Sequence, residues 1–489
     1  MRPVSSWFVP DLALLAAAVT LFYSLFLFQG YTAFFRDSDA GWHIRIGESI
    51  LTSREFPRSD PFSFSRPGRP WFAWEWLSDA VTGAVHRTSG LGGVALLYAV
   101  VIAAGVWLWF RLHWALGGNF LLACGMAPLL LSTCSIHWLA RPHVESWLML
   151  LAALLYLETR RPDRALRWTD ALAVAVFTAL WANIHASFFF APFLAVLYAL
   201  RGRISWWIVP IAAAAPLANP YGWHLYQHVY RYLTDSDLLA RIGEFQSFDF
   251  HTPGSGQIIA TVILGIAGGT LALTRGRWEH FVLAVTISAM ALRSARALPL
   301  SALVLLPIAN RAISDWLPCK RFQAYCGNLR AIDARLNGIA LAPILILAAA
   351  ALLRAVPAGF PPDQFPVAAY SHLPAGGRLF TTDKFGGYLI YRSAGHRPVF
   401  FDGRSDFYGA GFLQQYGRMV QARPGWRDLW DPWHFTHALL PNDLPLLAAL
   451  QQIGWRRIYR DQVATILAAP EIGTATCVTT EQLLSGTGA

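Results

Sequence analysis

The chain reads as an α-helical polytopic membrane protein of about eleven spans, with amphipathic helices in the first external loop and a small C-terminal α/β domain outside the membrane. Three observations predict this. Of the 489 residues, 55% are hydrophobic and only 14% charged, and the mean hydropathy is +0.39, a composition suited to a chain that lies mostly in lipid. Apolar runs recur up to residue 353 and then stop. Arginines gather in alternate short loops between those runs, as the positive-inside rule requires. That distribution accounts for the formal charge of +10. No basic stretch is interleaved with exposed aromatics, so nucleic acid is not an expected partner.

Hydropathy over windows of about 19 residues places spans at 7–28, 91–112, 119–135, 144–157, 171–183, 188–200, 205–217, 257–274, 281–292, 297–313 and 337–353. The first follows Arg2. It is too long for a signal-peptide core and no cleavage site follows it, so it is expected to remain as an anchor. With the N-terminus in the cytoplasm, the inside loops 111–118, 158–168 (Arg160, Arg161, Arg164, Arg167), 201–204, 275–278 and 311–336 are nearly all arginine-bearing. Arg293 and Arg296 fall outside. A basic pair on the disfavoured side is either a miscount or a site for an anionic group.

This divides the chain into a membrane domain, 1–355, whose first external loop covers about 29–90, and an extracytoplasmic α/β domain, 356–489. The second opens on the Pro-rich joint Pro357-Ala-Gly-Phe-Pro-Pro362. Strand-like runs follow at 378–381, 388–391, 398–401 and 457–459, with helix-like patterns at 411–421 and 444–453. Five cysteines form no CxxC and no zinc pattern, and Cys477 alone should meet an oxidising compartment, so a disulfide framework is not expected.

Polar chemistry concentrates in the first external loop, where residues 35–48 carry two aspartates, a histidine, two arginines and a glutamate. Residues 40–51 pattern as an amphipathic helix and 71–87 as a second interfacial one. Asp37 and Asp39 can point the same way in an extended segment. They repel unless a cation, an arginine or a proton neutralises them. Coordination of Mg²⁺ or Mn²⁺, service as a general base, and simple capping of the helix at Ala40 are all open. Other external segments add His137, Arg141, His143 and Glu145 after span three, and Asn183 and His185 after span five. Asn219-Pro-Tyr-Gly222 and His224 follow span seven, and Arg293 and Arg296 follow span nine. A lone histidine such as His185 is ordinarily a satisfied interhelical hydrogen-bonder. Five loops supplying such groups to one side predict a polar cavity that opens outward.

At Asp39-Ala-Gly-Trp-His-Ile-Arg45 the sequence resembles the GT-C superfamily of glycosyltransferases that use lipid-phosphate sugars. In oligosaccharyltransferase catalytic subunits an aspartate after the first span is likewise followed by aromatics and an arginine six positions on. Pro57-Arg-Ser-Asp-Pro-Phe-Ser-Phe64, Trp74-Glu-Trp-Leu77, Trp181-Ala-Asn-Ile-His185, Asn219-Pro-Tyr-Gly222, Phe385-Gly-Gly-Tyr-Leu-Ile390 and Phe401-Asp-Gly-Arg404 are similar to a widespread set of bacterial membrane proteins. The resemblance implies a GT-C-like membrane domain in the bacterial cytoplasmic (inner) membrane. It further implies inverting transfer, on the extracytoplasmic face, from a polyprenyl-phosphate sugar to a glycan, lipid or protein acceptor.

By motif match Asp39 is the base or metal-assisting residue and Asp37 its acidic neighbour. His43, Arg45, Arg141, His143, Glu145, His185, Arg293 and Arg296 are the substrate-binding candidates. Metal-dependent members carry a second acidic pair after span three; here His143-Val-Glu145 replaces one carboxylate by histidine, leaving Asp37, Asp39 and Glu145 as the metal set. No WWD-like motif is present, so peptide N-glycosylation is not expected.

Gly386-Gly387 lacks the context of a phosphate loop and reads as a tight approach to a strand. Asp402-Gly-Arg-Ser-Asp406 either closes over the cavity or makes a turn with an internal ion pair. Two rival readings stand beside the transferase, a lipid-linked-glycan transporter or flippase and a non-catalytic assembly subunit. Ionisable groups gathered at one face favour surface chemistry over alternating access.

Overall fold

The computed structural model describes residues 7–160, 167–356 and 358–470. Arg2, Arg161, Arg164, Pro357 and Cys477 lie outside the described residues. Each predicted apolar stretch contains a helix. These helices are α1 (Leu12–Phe26), α3 (Trp76–Leu116), α4 (Phe120–Ser135), α5 (Pro142–Thr159), α6 (Trp168–Ile184), α7 (Ala186–Leu200), α8 (Ile208–Leu217), α10 (Ser255–Thr274), α11 (Trp278–Arg293), α12 (Ala295–Ser314) and α14 (Leu341–Leu353). By length and composition three of them, α3, α10 and α12, are long and apolar enough to cross a membrane. Of the others, α5 has the length but not the apolar composition, and the rest are shorter. At 1.5 Å per residue, a helix of about 15 residues rises roughly 22 Å against a hydrocarbon core of about 30 Å.

The amphipathic helix of the first loop is α2 (Asp39–Ser53). The second interfacial helix and the second span, expected as separate elements, are one 41-residue helix, α3. Its single interruption is Gly90 at φ 60, ψ −160, a conformation open to glycine and costly for other residues. Helix α3 packs against α1, α2 and α5. Its approach to α2 is closer than a side chain permits, because a Cβ on Gly47 would strike the Asp79 carbonyl and one on Gly83 would meet the Gly47–Glu48 backbone. On the far side Trp109 Nε1 donates to the Ala302 carbonyl of α12 at 3.0 Å. Two further helices are α9 (Trp223–Thr234), ahead of α10, and α13 (Lys320–Asp333), after α12.

The chain forms two compact units, and the division does not fall at residue 355. Met1–Phe365 and Asp383–Gln414 make the first; Pro366–Thr382 and Gln415–Ala489 make the second. The segment 383–414 therefore belongs with the long helices. Residues 388–391, expected as a strand, lie inside α15 (Asp383–Arg392), and 398–401 makes only an isolated bridge, Ser63 with Val399. A short apolar run does not distinguish a strand from a buried helix turn. Here packing decides it: Gly387 lets α15 approach the start of α2 so closely that a Cβ there would stand 2.7 Å from Ser38, while Gly386 lies against the Phe401 carbonyl.

In the second unit a four-stranded sheet has the order β1-β2-β4-β3, from β1 (Leu379–Thr381), β2 (His437–Pro441), β3 (Arg456–Arg460) and β4 (Ala464–Ala468). β1 and β2 are parallel; β4 is antiparallel to both β2 and β3. The helices expected at 411–421 and 444–453 appear as α16 (Ala410–Val420) and α17 (Pro445–Gln452). β2 and β4 are apolar segments of five residues that were not expected as strands from the sequence. The Phe380 ring packs on Trp430 and Phe435 at 4.7 and 5.2 Å.

Candidate functional site

Asp39 opens α2, so its carboxylate sits where the helix N-terminus favours negative charge. The N-cap of α2 is Ser38, which makes no side-chain cap, and one residue further out Asp37 Oδ1 accepts the Asp39 backbone N–H at 2.9 Å. What gathers on the two aspartates is Arg141, the N-cap of α5. Its Nη1 lies 2.6 Å from Asp37 Oδ2 and 2.7 Å from Glu244 Oε1, and its Nη2 is 2.9 Å from Asp39 Oδ2. Glu244, on a single 3₁₀ turn, reaches on to Arg296 Nη1 at 3.4 Å. Its carbonyl accepts from Ser294 Oγ at 2.9 Å. Three carboxylates and two guanidiniums thus form one continuous chain, running from the buried Asp39 to the half-buried Arg296.

The electrostatics of this chain separate its carboxyls. Burial, and after it the Asp37 charge, push Asp39 up to about 7 in spite of Arg141. Burial opposes ionised Glu244 as well, but Arg141 and Arg296 outweigh it and hold that carboxyl down at about 2. Glu244 is therefore a fixed anion and Asp39 a group that titrates near neutrality.

One turn beyond Asp39 on α2 lies a second polar cluster. His43 Nδ1 is 2.6 Å from Asp79 Oδ1, and Glu75 stands between two imidazoles, 3.9 Å from His43 Nε2 and 3.5 Å from His185 Nε2. Burial pushes Glu75 up to about 8 against the pull of Arg296 and Arg141, and burial holds His43 well below the usual histidine range.

A cavity of about 610 Å³ lies beside these groups. His143, His185, Arg293 and Arg296 line its polar part, while Trp147, Leu150, Phe190 and Leu300 are among the residues of its apolar wall. The sequence-predicted pair Arg293 and Arg296 thus meets two of the predicted histidines at one wall. The His143 ring nitrogen Nε2 is 3.0 Å from the His137 carbonyl.

Two candidates point elsewhere. Arg45 donates through Nε and Nη2 to the Tyr391 carbonyl at 3.0 and 2.6 Å and pairs with Glu48 at 2.5 Å. Six residues advance about 600° around a helix, so Asp39 and Arg45 leave α2 on different sides. Glu145, in the first turn of α5, faces Asp79 and Tyr98 of α3 rather than Asp37 and Asp39.

The metal set Asp37, Asp39 and Glu145 is therefore not assembled. Among the described residues no three or more His, Cys, Asp or Glu converge as metal ligands. The carboxylates at Asp39 fit the spread nitrogens of a guanidinium better than the single centre a metal requires.

A backing wall completes the site. Phe64 N–H donates to the Val399 carbonyl at 3.0 Å and Val399 N–H to the Phe62 carbonyl at 2.9 Å, zipping the first loop to residues 398–404. Arg404 then locks the junction, paired with Asp402 at 2.7 Å and with Asp60 at 2.8 Å. The internal ion pair expected in Asp402–Asp406 is present, and its effect is to press the Gly403 backbone onto Asp39; a Cβ on Gly403 would collide with Asp39 Oδ1. Glu244, Glu75, Asp79 and Gly403 were not singled out as site residues from the sequence. Only Glu75 carried a signal, as a carboxylate between Trp74 and Trp76 in an apolar setting.

No protein-family model matches the sequence, and no curated protein matches it. Solved structures do match the fold. The oligosaccharyltransferase of Archaeoglobus fulgidus in its apo form aligns with a TM-score of 0.53 at 12% identity, over 88% of this chain and 69% of that one. The archaeal oligosaccharyltransferase AglB from the same organism, in complex with an inhibitory peptide and a dolichol-phosphate, aligns with a TM-score of 0.54 at 12% identity over the same shares. The chain is distantly similar in fold to oligosaccharyltransferase catalytic subunits.

Proposed function

We propose that the chain is an integral-membrane glycosyltransferase of the GT-C type, moving a sugar from a polyprenyl-phosphate donor to a hydroxyl of a glycan, lipid or protein. The observation that carries this is the continuous charge chain from Asp39 through Arg141 and Glu244 to Arg296, which sets a base near one end and an anion-binding wall at the other. The oligosaccharyltransferase fold supports it, as does the dolichol-phosphate held by one such structure.

In this reading the donor phosphate is held by Arg293 and Arg296, whose planar forks bind phosphate oxygens bidentately and stay charged. The lipid chain leaves along the apolar wall. The acceptor oxygen attacks the anomeric carbon opposite the phosphate and its proton passes to the Asp39 carboxylate. The bond from anomeric carbon to phosphate oxygen breaks with its electron pair, releasing polyprenyl phosphate. A carboxyl at about 7 suits a base that works near neutral pH. The leaving group is already a phosphate, so no second carboxyl is needed as acid. The chemistry takes place on the extracytoplasmic face of a bacterial inner membrane.

Asp39→Asn in a transfer assay with a polyprenyl-phosphate sugar is expected to lose activity by about 100-fold or more. Turnover at the wild-type rate would remove Asp39 from the chemistry.

A further inference from the structure

We infer that Arg141 is the resident cation of this site, its guanidinium standing among Asp37, Asp39 and Glu244 in the place a divalent metal would otherwise take. Three observations carry this. The first is geometric. Two carboxylates share Nη1 and the third takes Nη2, at 2.6, 2.7 and 2.9 Å. Donors of a rigid fork are spread over a plane, whereas a metal needs its oxygens around one point at about 2.0–2.6 Å.

The second is charge balance. Asp37, Asp39 and Glu244 face Arg141 and Arg296, so two of the three carboxylates are already offset by guanidiniums in direct contact. Adding two positive charges to such a cluster would require a guanidinium to leave.

The third is position. Arg141 comes from the segment after α4, the stretch from which a further metal carboxylate was expected, while the one carboxylate that stretch offers, Glu145, faces α3. Arg141 is thus a positioning residue. It aims Asp39, draws Glu244 into the site and leaves no vacancy for a metal.

Its consequence can be read without a sugar, so its failure and that of the transferase reading are distinguishable. Mn²⁺ binding to the full chain in detergent is followed by loss of the free-ion EPR signal. Wild type is expected to leave the signal unchanged. Arg141→Ala is expected to bind Mn²⁺, and adding Asp39→Asn to abolish that binding. Arg141→Gln, neutral yet still able to donate to the carboxylates, is expected to bind as well, and serves should the alanine variant fail to fold. Stoichiometric Mn²⁺ on wild type, released by Asp39→Asn, overturns the inference. A folded pair of Arg141 variants that binds none also overturns it.

Discussion

If Asp39 is the base, transfer at saturating donor should follow its ionisation. The carboxyl titrates at about 7, so a tenth of the molecules carry the reactive carboxylate at pH 6, half at pH 7 and about nine-tenths at pH 8. The rate should therefore climb about tenfold from pH 6 to pH 8 and then level. Asp37→Asn tests the cause of that value. The amide oxygen can still accept the Asp39 N–H that Asp37 Oδ1 now receives at 2.9 Å. Its charge is gone, however, and that charge is the largest influence after burial raising Asp39. Removing it also frees one side of Arg141 to act on Asp39, and both effects favour the carboxylate. The midpoint should move acidward by about one unit, or ~1.4 kcal/mol. Activity at pH 6 would then rise from a tenth to about half of the plateau. The assay is the pH dependence of sugar transfer in detergent or nanodiscs, wild type and variant in parallel. A midpoint that stays at 7 or moves alkaline would refute the assignment of Asp39 as the titrating base.

Two further outcomes follow from the surroundings of this carboxylate. Gly403→Ala places a Cβ onto Asp39 Oδ1, and because the Arg404 ion pairs hold the segment in place, the aspartate must move. Transfer should fall by about tenfold or more while thermal stability changes by only ~1–3 kcal/mol, and unchanged kinetics would show that the wall gives way instead. Glu75→Gln should flatten the alkaline side of the stability profile. With the folded carboxyl raised to about 8 from 4.5, its stabilising share is complete below 4.5 and is lost as pH rises through 8. Wild type should therefore lose more thermal stability than the variant between pH 6 and 9, by several degrees; parallel melting curves would count against a buried neutral Glu75.

Some of this architecture is legible from residue order alone, because it rests on local periodicity. An amphipathic pattern places α2, and apolar run length places the long helices. The charge of the loops isolates Arg293 and Arg296 as a basic pair on the wrong side, and the structure puts both on the cavity wall beside His143 and His185. The local pattern misleads where packing overrides propensity, as at 388–391, whose strand-like run lies in a helix that Gly387 lets pack against the start of α2. It misleads again at Arg45, whose spacing from Asp39 matches a motif while helical rotation turns it toward Tyr391.

Local periodicity and charge therefore suffice for a mostly helical, apolar chain, for its helical segments and for the aspartate pair as the focus of polar chemistry. Tertiary structure alone decided which groups meet that pair. Arg141 reaches Asp37 across 104 residues and Glu244 across 103. Gly403 arrives from more than 360 positions away because Asp60 and Arg404 pin one loop to the other. Periodicity encodes the face a residue occupies on its own helix. Whether a given carboxylate finds a metal, an arginine or a proton depends on how distant helix ends converge, and here they converge on a guanidinium.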